Sequence, residues 1–181
     1  MSELSSQKKG LLIIYTGNGK GKTTAAVGLA VRAAGYGRKV LFLQFIKEWF
    51  TGEREILGKL SPLVDFVQMG EGFVGIWGDR KDRSVHRNAA QEALVFAKEM
   101  LESKKYDVYV FDELNVALSE GLVNFEQVKE LIDLRDQSAD LVITGRNAQE
   151  KLLDMADLVT EMEEVKHPFQ KGILAKRSID Y

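Results

Sequence analysis

Residues 11–24 read Leu-Leu-Ile-Ile-Tyr-Thr-Gly-Asn-Gly-Lys-Gly-Lys-Thr-Thr, an apolar run followed by a loop of glycines and lysines. The run at 11–15 is rich in β-formers and is bounded by glycine, which predicts a buried strand. Residues 22–34 are dominated by alanine, valine and leucine and stop at Gly35 and Gly37, which predicts a helix. A glycine-rich loop between a strand and a helix turns backbone N–H groups toward an anion, and the helix dipole favours negative charge there. The segment therefore predicts a phosphate-binding loop.

This loop predicts a set of nucleotide-binding residues. Lys22 supplies a point charge for phosphate oxygens, and Thr23 supplies a hydroxyl suited to Mg²⁺. The usual motif has a further glycine where this chain has Thr16, so the loop is one residue shorter. A flexible basic turn is the alternative, and the flanking strand and helix disfavour it. We expect Lys22 to be catalytic and ATP to contact Gly17, Asn18, Gly19, Lys20, Gly21, Lys22, Thr23 and Thr24.

A second signal lies at the end of the predicted strand 108–111, where Asp112 and Glu113 follow. An acid at this place in P-loop proteins holds Mg²⁺ or its water. A solvated strand end is the alternative, and the phosphate loop favours the metal interpretation. We therefore predict that Asp112 is a catalytic metal ligand together with Thr23, and that Glu113 binds ATP. Arg146 follows another strand end, and either contacts the nucleotide or forms a loop salt bridge.

Strands and helices alternate along the rest of the chain. Near-continuously apolar strands are typical of a parallel sheet covered on both faces. The sequence thus predicts the α/β class, with a P-loop NTPase-like, mostly parallel sheet and helices on both faces. We expect residues 1–10 to form a mobile N-terminal arm and residues 11–181 a single domain, because 181 residues suit one core. Further strands are predicted at 40–46, 64–69, 108–111, 141–144 and 158–161, and further helices from 89 to about 103, around 125–132 and at 148–155.

The composition excludes several classes of protein. There are 25 basic and 27 acidic side chains, so the formal charge of -2 does not indicate a nucleic-acid partner. The absence of cysteine excludes disulfides and thiolate metal sites. The longest apolar runs are strand-sized, and the N-terminus lacks a signal-peptide pattern. We expect a cytoplasmic protein that binds neither nucleic acid nor membrane.

The motifs narrow the choice among P-loop proteins without settling it. The chain has no Asn-Lys-x-Asp guanine signature, which disfavours a GTPase, and it lacks the length and further motifs of a helicase or motor. The residues leave open a small nucleoside or metabolite kinase, a regulatory ATPase or nucleotide-switched binding protein, and an alkyl transferase that uses ATP as the electrophile.

The order of several short motifs resembles that of the small P-loop ATP:corrinoid adenosyltransferases. The likeness runs from about residue 11 to the end of the chain, and the shortened phosphate loop is itself a trait of that family. The motifs are Thr16-Gly-Asn-Gly-Lys-Gly-Lys-Thr-Thr24, Gln44-Phe-Ile-Lys47, Gly70-Glu-Gly-Phe73, Phe111-Asp-Glu-Leu-Asn115, Val142-Ile-Thr-Gly-Arg146, Ala156-Asp-Leu-Val-Thr-Glu-Met162 and Val165-Lys-His-Pro-Phe169.

The resemblance implies a reaction and its partners. The 5′-deoxyadenosyl group of ATP would be transferred to the cobalt of cob(I)alamin, with release of triphosphate and formation of adenosylcobalamin. ATP would lie with its triphosphate reversed relative to other P-loop proteins, and Mg²⁺ would be the metal cofactor. The family is typically served by a reduced flavoprotein electron donor and often forms a homodimer.

Three aromatic residues are expected to touch the corrinoid, whether cobalamin or cobinamide. Phe73 occupies the position of the phenylalanine in the family pattern, and the resemblance implies a catalytic role for it. Trp77 is displaced by two positions from the usual phenylalanine–x–tryptophan spacing. Trp49 follows a strand end, with packing under a loop as the alternative. The only histidines, His86 and His167, are too few for a multi-histidine metal site.

Overall fold

The computed structural model describes residues 9–48, 50–72 and 81–180. Strands and helices alternate along the chain, as the sequence predicts. The strands are β1 (Leu12–Thr16), β2 (Val40–Gln44), β3 (Val64–Gln68), β4 (Val108–Asp112), β5 (Asp140–Thr144) and β6 (Leu158–Glu161). The helices are α1 (Lys22–Gly35), α2 (Gly52–Gly58), α3 (Arg83–Glu102), α4 (Leu114–Ser119), α5 (Phe125–Leu134) and α6 (Glu150–Met155), and a 3₁₀ turn spans Pro168–Lys171.

The strands form one sheet in the order β3-β2-β4-β5-β1-β6. Every pairing of neighbouring strands in this sheet is parallel. All six strands therefore end at the same edge, so the loops that follow them lie close together in space. The fold class predicted from the sequence, an α/β parallel sheet, is confirmed.

Each face of the sheet buries its own helices. On one face, Ala26 and Ala30 of α1 and Leu57 of α2 pack with Phe42 and Val110. The other face holds α3, α5 and α6, with Leu94, Leu131 and Leu152 against apolar side chains of the neighbouring strands. Strand residues alternate between the two cores, as the two-residue period of a strand requires. The prediction of helices on both faces is confirmed.

Some element boundaries differ from the predictions. Helix α3 starts at Arg83 rather than near Ala89, because the Asp82 side chain caps it by accepting a hydrogen bond from the Ser84 N–H at 2.8 Å. Helices α2 and α4 were not predicted, because they have only 7 and 6 residues and show no sustained apolar period.

Lys9 and Gly10, the described end of the predicted N-terminal arm, contact the segments that precede β5 and β6. The Gly10 N–H donates to the Gln137 carbonyl at 2.6 Å, and Lys9 pairs with Asp157 at 3.0 Å. Residues 1–8 of the predicted N-terminal arm lie outside the described residues. Within the described ranges, no helix is both long enough and apolar enough to cross a bilayer.

The face of α3 that points to the sheet contributes most of the stability that this helix provides. Leu94 is 2% exposed, whereas its neighbour Val95 is 57% exposed. We expect Leu94→Ala to lower the free energy of unfolding by about 2–5 kcal/mol, since truncation removes buried area and leaves a cavity. Val95→Ala should change it by about 0.5 kcal/mol or less. Denaturant unfolding of both variants measures the difference, and equal effects would contradict this placement of α3.

Candidate active site

A cleft of about 800 Å³ opens at the edge of the sheet where the strands end. Its walls come from the phosphate loop, the segment after β2, the start of α4, the loop after β5 and the C-terminal segment. Of the residues predicted from the sequence, those that line it are Gly19, Lys20, Gly21, Lys22, Thr23, Thr24, Glu113 and Arg146. The remaining part of the predicted ATP set, Gly17 and Asn18, belongs to the same loop but does not line the cleft.

The phosphate loop is held by contacts that only glycine permits. Gly17 has a φ of 90°, and a side chain there would meet the Met162 carbonyl oxygen at 2.4 Å. A side chain at Gly19 would lie 2.6 Å from the Glu163 carbonyl oxygen, and the Gly19 N–H donates to the Met162 carbonyl at 2.6 Å. The loop is therefore clamped against the chain that follows β6.

Lys22 closes the loop from inside. Its ammonium donates to the carbonyl oxygens of Gly17 and Gly19, both at 2.7 Å. Burial lowers the pKa of Lys22, and Glu113 works in the opposite direction. The Lys22 ammonium is thus held at the N-terminus of α1 by two carbonyl oxygens. An anionic ligand can replace these oxygens as its partners.

Asp112 lies at the end of β4 with no exposed surface. Its Oδ1 accepts hydrogen bonds from the Thr144 hydroxyl at 2.6 Å and the Thr23 hydroxyl at 2.9 Å. Its Oδ2 accepts from the Gln44 amide at 3.0 Å and lies 3.3 Å from the Lys47 ammonium. The β2–β4 register places Gln44 directly beside Asp112. A buried carboxylate is tolerated here because both of its oxygens are satisfied.

Lys47 is a site residue that the sequence reasoning did not single out. Its ammonium lies 3.2 Å from the Thr23 hydroxyl and 3.5 Å from Glu53. Burial lowers the pKa of Lys47, but Asp112 and Glu53 raise it by more, so it lies above the ordinary value. The side chain is therefore an ammonium at neutral pH. The signal that could have found it is its place at the end of the motif Gln44-Phe-Ile-Lys47, directly after a strand.

Glu113 follows Asp112 in a left-handed conformation, with a φ of 65°. Its N–H donates to the Thr144 hydroxyl at 3.0 Å, so the backbone turns sharply and the side chain reaches the cleft. Burial, and then the neighbouring Asp112, raise the pKa of Glu113 to about 7, although Lys47 and Lys22 oppose the shift. The charge that Glu113 presents to a ligand is therefore sensitive to pH near neutrality.

Arg146, one residue after Gly145, is exposed and lines the cleft. Gly145 has a φ of 129°, and a side chain there would meet the backbone nitrogen of Val116 at 2.9 Å. This close approach brings the loop after β5 against α4. Arg146 forms no ion pair with any carboxylate of the described residues, which favours a role in ligand binding over the alternative of a loop salt bridge.

The C-terminal segment, residues 163–180, returns to the phosphate loop. Ser178, Ile179 and Asp180 line the cleft, and Asp180 pairs with Lys20 at 2.8 Å. His167 also lines it, with its Nδ1 accepting from the Phe169 N–H at 3.2 Å. The sequence motifs did not predict this wall, because the segment has no regular element longer than a 3₁₀ turn.

The predicted corrinoid-binding residues Trp49, Phe73 and Trp77 lie outside the described residues. The start of the loop that carries Phe73 is described. The Gly72 N–H donates to the Ile46 carbonyl at 2.7 Å, and a side chain at Gly70 would overlap the Ile46 backbone. This loop therefore leaves the sheet beside Lys47, at the same edge as the phosphate loop.

The donors at Thr23 and Asp112 fit a magnesium ion that is shared with a ligand. Both supply hard oxygen atoms, which Mg²⁺ prefers. Within residues 9–48, 50–72 and 81–180, no group of three or more His, Cys, Asp or Glu side chains could hold a metal alone. This donor set matches the way Mg²⁺ is usually bound, through one or two protein oxygens together with substrate phosphates.

Comparison with known proteins gives a consistent result. A family model described as "ATP:corrinoid adenosyltransferase BtuR/CobO/CobP" matches residues 8–181. A corrinoid adenosyltransferase of Escherichia coli K12 is 39% identical over 178 residues, covering 98% of this chain and 88% of that protein. One from Sinorhizobium is 38% identical over 179 residues, covering 97% and 82%.

Among solved structures, the flagellar accessory protein FlaH of Methanocaldococcus jannaschii superimposes with a TM-score of 0.54 at 15% sequence identity. The superposition covers 85% of this chain and 71% of that one. At this identity the likeness concerns the fold alone.

The clamp on the phosphate loop can be tested with a matched pair of glycines. We expect Gly19→Ala to weaken nucleotide binding at least tenfold, because the added methyl group would displace the loop from the backbone of Met162 and Glu163. In α1, a side chain at Gly28 would meet nothing within 4 Å, so Gly28→Ala should leave binding intact. Equilibrium titration with a fluorescent ATP analogue compares the two, and unimpaired binding by Gly19→Ala would contradict the clamp.

Proposed function

We propose that this chain, which belongs to the ATP:corrinoid adenosyltransferase family, transfers the 5′-deoxyadenosyl group of ATP to the cobalt of a reduced corrinoid. The observation that carries this proposal is the family match over residues 8–181. The cleft supports it, because the phosphate loop, the segment after β2 and Glu113, which follows β4, all line it. The product would be adenosylcobalamin.

The transfer breaks one bond and forms one bond. The cobalt of cob(I)alamin attacks C5′ of ATP with its electron pair, the cobalt–carbon bond forms, and the C5′–oxygen bond breaks. That oxygen leaves with triphosphate and carries the electron pair of the broken bond. The main task of the protein is therefore to bind and stabilise a highly charged leaving group while C5′ faces the corrinoid.

We assign this task to Lys22 and to the backbone N–H groups of the phosphate loop. The Lys22 ammonium can exchange its two carbonyl partners, Gly17 and Gly19, for triphosphate oxygens. Lys20 and Arg146 add positive charge at the walls of the cleft, and Glu113, which also lines it, would contact the nucleotide. A reversed triphosphate, as the family resemblance implies, would direct C5′ away from the loop and toward the corrinoid.

Thr23 and Asp112 are the residues that would hold Mg²⁺. The Thr23 hydroxyl is at the start of α1, and the Asp112 carboxylate lies 2.9 Å from it. When bound, Mg²⁺ supplies charge compensation for the triphosphate. Gln44 and Thr144 orient the carboxylate through hydrogen bonds at 3.0 and 2.6 Å, so Asp112 has little freedom to turn away.

The corrinoid would bind over the loop that begins at Gly70, with Phe73, Trp77 and Trp49 as its contacts. Removal of the axial ligands of cobalt makes reduction to the cob(I) state easier. An apolar side chain at Phe73 that excludes water from one axial face would serve this purpose. We further propose a single cytoplasmic domain over residues 11–181 that receives electrons from a reduced flavoprotein and forms a homodimer.

The assay that tests the proposal mixes the protein with ATP, Mg²⁺ and chemically reduced cobalamin. We expect stoichiometric triphosphate and a light-sensitive alkylated corrinoid. A small P-loop kinase would instead give ADP and a phosphorylated acceptor, and a nucleotide-switched binding protein would give neither product. Either of these results would refute the adenosyltransferase assignment.

Lys22 provides the first test of the leaving-group role. We expect Lys22→Ala to reduce turnover by about 10²- to 10³-fold, the range for losing one preorganised charge-stabilising donor. Folding should survive, because the side chain bonds only the loop carbonyls. Lys98→Ala is the control, since Lys98 forms an ion pair with Glu130 on the surface of α3, and its turnover should be unchanged. Steady-state release of triphosphate measures both, and a fully active Lys22→Ala would exclude the role.

Phe73 provides a separate test of the corrinoid site. We expect Phe73→Ala to impair formation of four-coordinate cob(II)alamin far more than ATP binding, because water or the nucleotide-loop base regains access to the axial position. Trp77→Ala should have a milder effect, in keeping with its two-residue displacement. Electronic spectra of cob(II)alamin bound to each ATP-loaded variant report the coordination number. A normal four-coordinate spectrum from Phe73→Ala would rule out this function for the side chain.

A further inference from the structure

Lys47 places a positive charge among the oxygens that we assign to the metal. Its ammonium lies 3.2 Å from the Thr23 hydroxyl oxygen, 3.3 Å from Asp112 Oδ2 and 3.5 Å from Glu53 Oε1. The Lys47 side chain is only 16% exposed, and it enters from the segment after β2. The three oxygens belong to α1, β4 and α2, so a single ammonium connects three elements at the sheet edge.

The hydrogen-bonding capacity of Thr23 makes this contact significant. A hydroxyl has one hydrogen to donate and accepts through its lone pairs. Thr23 donates its hydrogen to Asp112 Oδ1 at 2.9 Å, so its contact with Lys47 uses a lone pair of the hydroxyl oxygen. A metal ion also binds a hydroxyl through an oxygen lone pair. Lys47 and Mg²⁺ would therefore be two cations bound to the same hydroxyl oxygen and the same carboxylate.

We propose that Lys47 is a positioning residue that acts as an exchangeable internal cation, holding Thr23 and Asp112 until Mg²⁺ arrives with the triphosphate. This inference rests on the metal site of the proposed function. Like charges repel strongly at such short range, so the ammonium has to move as the metal binds. Glu53, at 3.5 Å, is already a partner of Lys47, so it does not replace the contacts with Thr23 and Asp112 that the ammonium would lose. Triphosphate supplies further oxygens that can accept the displaced ammonium.

The arrangement predicts that the affinity for the metal depends on triphosphate. Mg²⁺ alone has to displace Lys47 without offering it a new anionic partner, so free metal binds weakly. Metal that arrives with triphosphate brings that partner, so metal and triphosphate bind with positive coupling. The alternative is that Lys47 has a purely structural role and only neutralises the buried Asp112. In that case its removal would lower stability without raising metal affinity.

Binding of Mn²⁺ to the full chain, followed by the paramagnetic resonance signal of the free ion, separates the two interpretations. Mn²⁺ serves as the probe because it takes the same oxygen ligands as Mg²⁺. We expect Lys47→Met to bind Mn²⁺ at least tenfold more tightly than the unaltered protein in the absence of nucleotide. Lys98→Met, which removes a surface charge of the same kind, should leave the affinity unchanged.

Two further measurements fix the site and the coupling. Adding Asp112→Asn to Lys47→Met should abolish the gain, which locates the metal at Asp112. Inorganic triphosphate should tighten Mn²⁺ binding much more in the unaltered protein than in Lys47→Met. If Lys47→Met does not fold, as judged by circular dichroism, Lys47→Gln keeps a hydrogen-bond donor without the charge and should show the same gain.

Two outcomes overturn the inference in different ways. Equal Mn²⁺ affinities for a folded Lys47→Met and the unaltered protein would show that Lys47 does not compete with the metal, and would leave the adenosyl-transfer proposal untouched. Failure of every form to bind Mn²⁺, even with triphosphate, would remove the metal site itself. The transfer assay with cobalamin tests the proposed function separately, whatever the result of the Mn²⁺ measurements.

Discussion

The buried carboxylate of Asp112 is the constraint on which the arrangement of this site depends. A charge without exposed surface is stable only when its oxygens are fully bonded, and an unpaired one would cost several kcal/mol. Asp112 meets this requirement with side chains from β2, from β5 and from the start of α1. The same bonds fix the ends of three neighbouring elements relative to one another. The position of the phosphate loop is thus set partly by an acid 89 residues away in the sequence.

The cleft balances opposite charges without neutralising them in isolated pairs. Lys22, Lys47 and Arg146 surround two adjacent carboxylates, and each charge influences the pKa of its neighbours. The consequence for Glu113 is a pKa near neutrality, because burial and Asp112 outweigh the surrounding cations. The cationic side chains of Lys22 and Arg146 line the cleft that a polyanionic ligand would enter. The electrostatics of the site therefore suit the binding and the later release of a negatively charged ligand.

The sequence predicted much of the fold because its strongest signals were local. The apolar strands, the loop between β1 and α1 and the acid at the end of β4 each carry a pattern that can be recognised within one short segment. Helices α2 and α4 escaped prediction because such short elements are formed by tertiary contacts rather than by their own period. The position of Lys47 depends on the side-by-side register of β2 and β4, which no single segment encodes. The wall of the cleft that contains Asp180 depends on a contact between the C-terminal segment and Lys20, which is far from it in the sequence.

The strand order has a consequence for how the protein is made. In the sheet, β1 lies between β5 and β6, and among the strands that the structure describes it pairs with these two alone. Leu12 is matched with Leu141, and Ile13 with Leu158, so the first described strand is joined by the last two. Pairings between such distant segments form slowly, because a long loop has to close before they gain stability. During synthesis on the ribosome, β1 and the phosphate loop therefore stay unpaired until more than a hundred further residues have been added. The region most closely tied to nucleotide binding is thus among the last to acquire its shape.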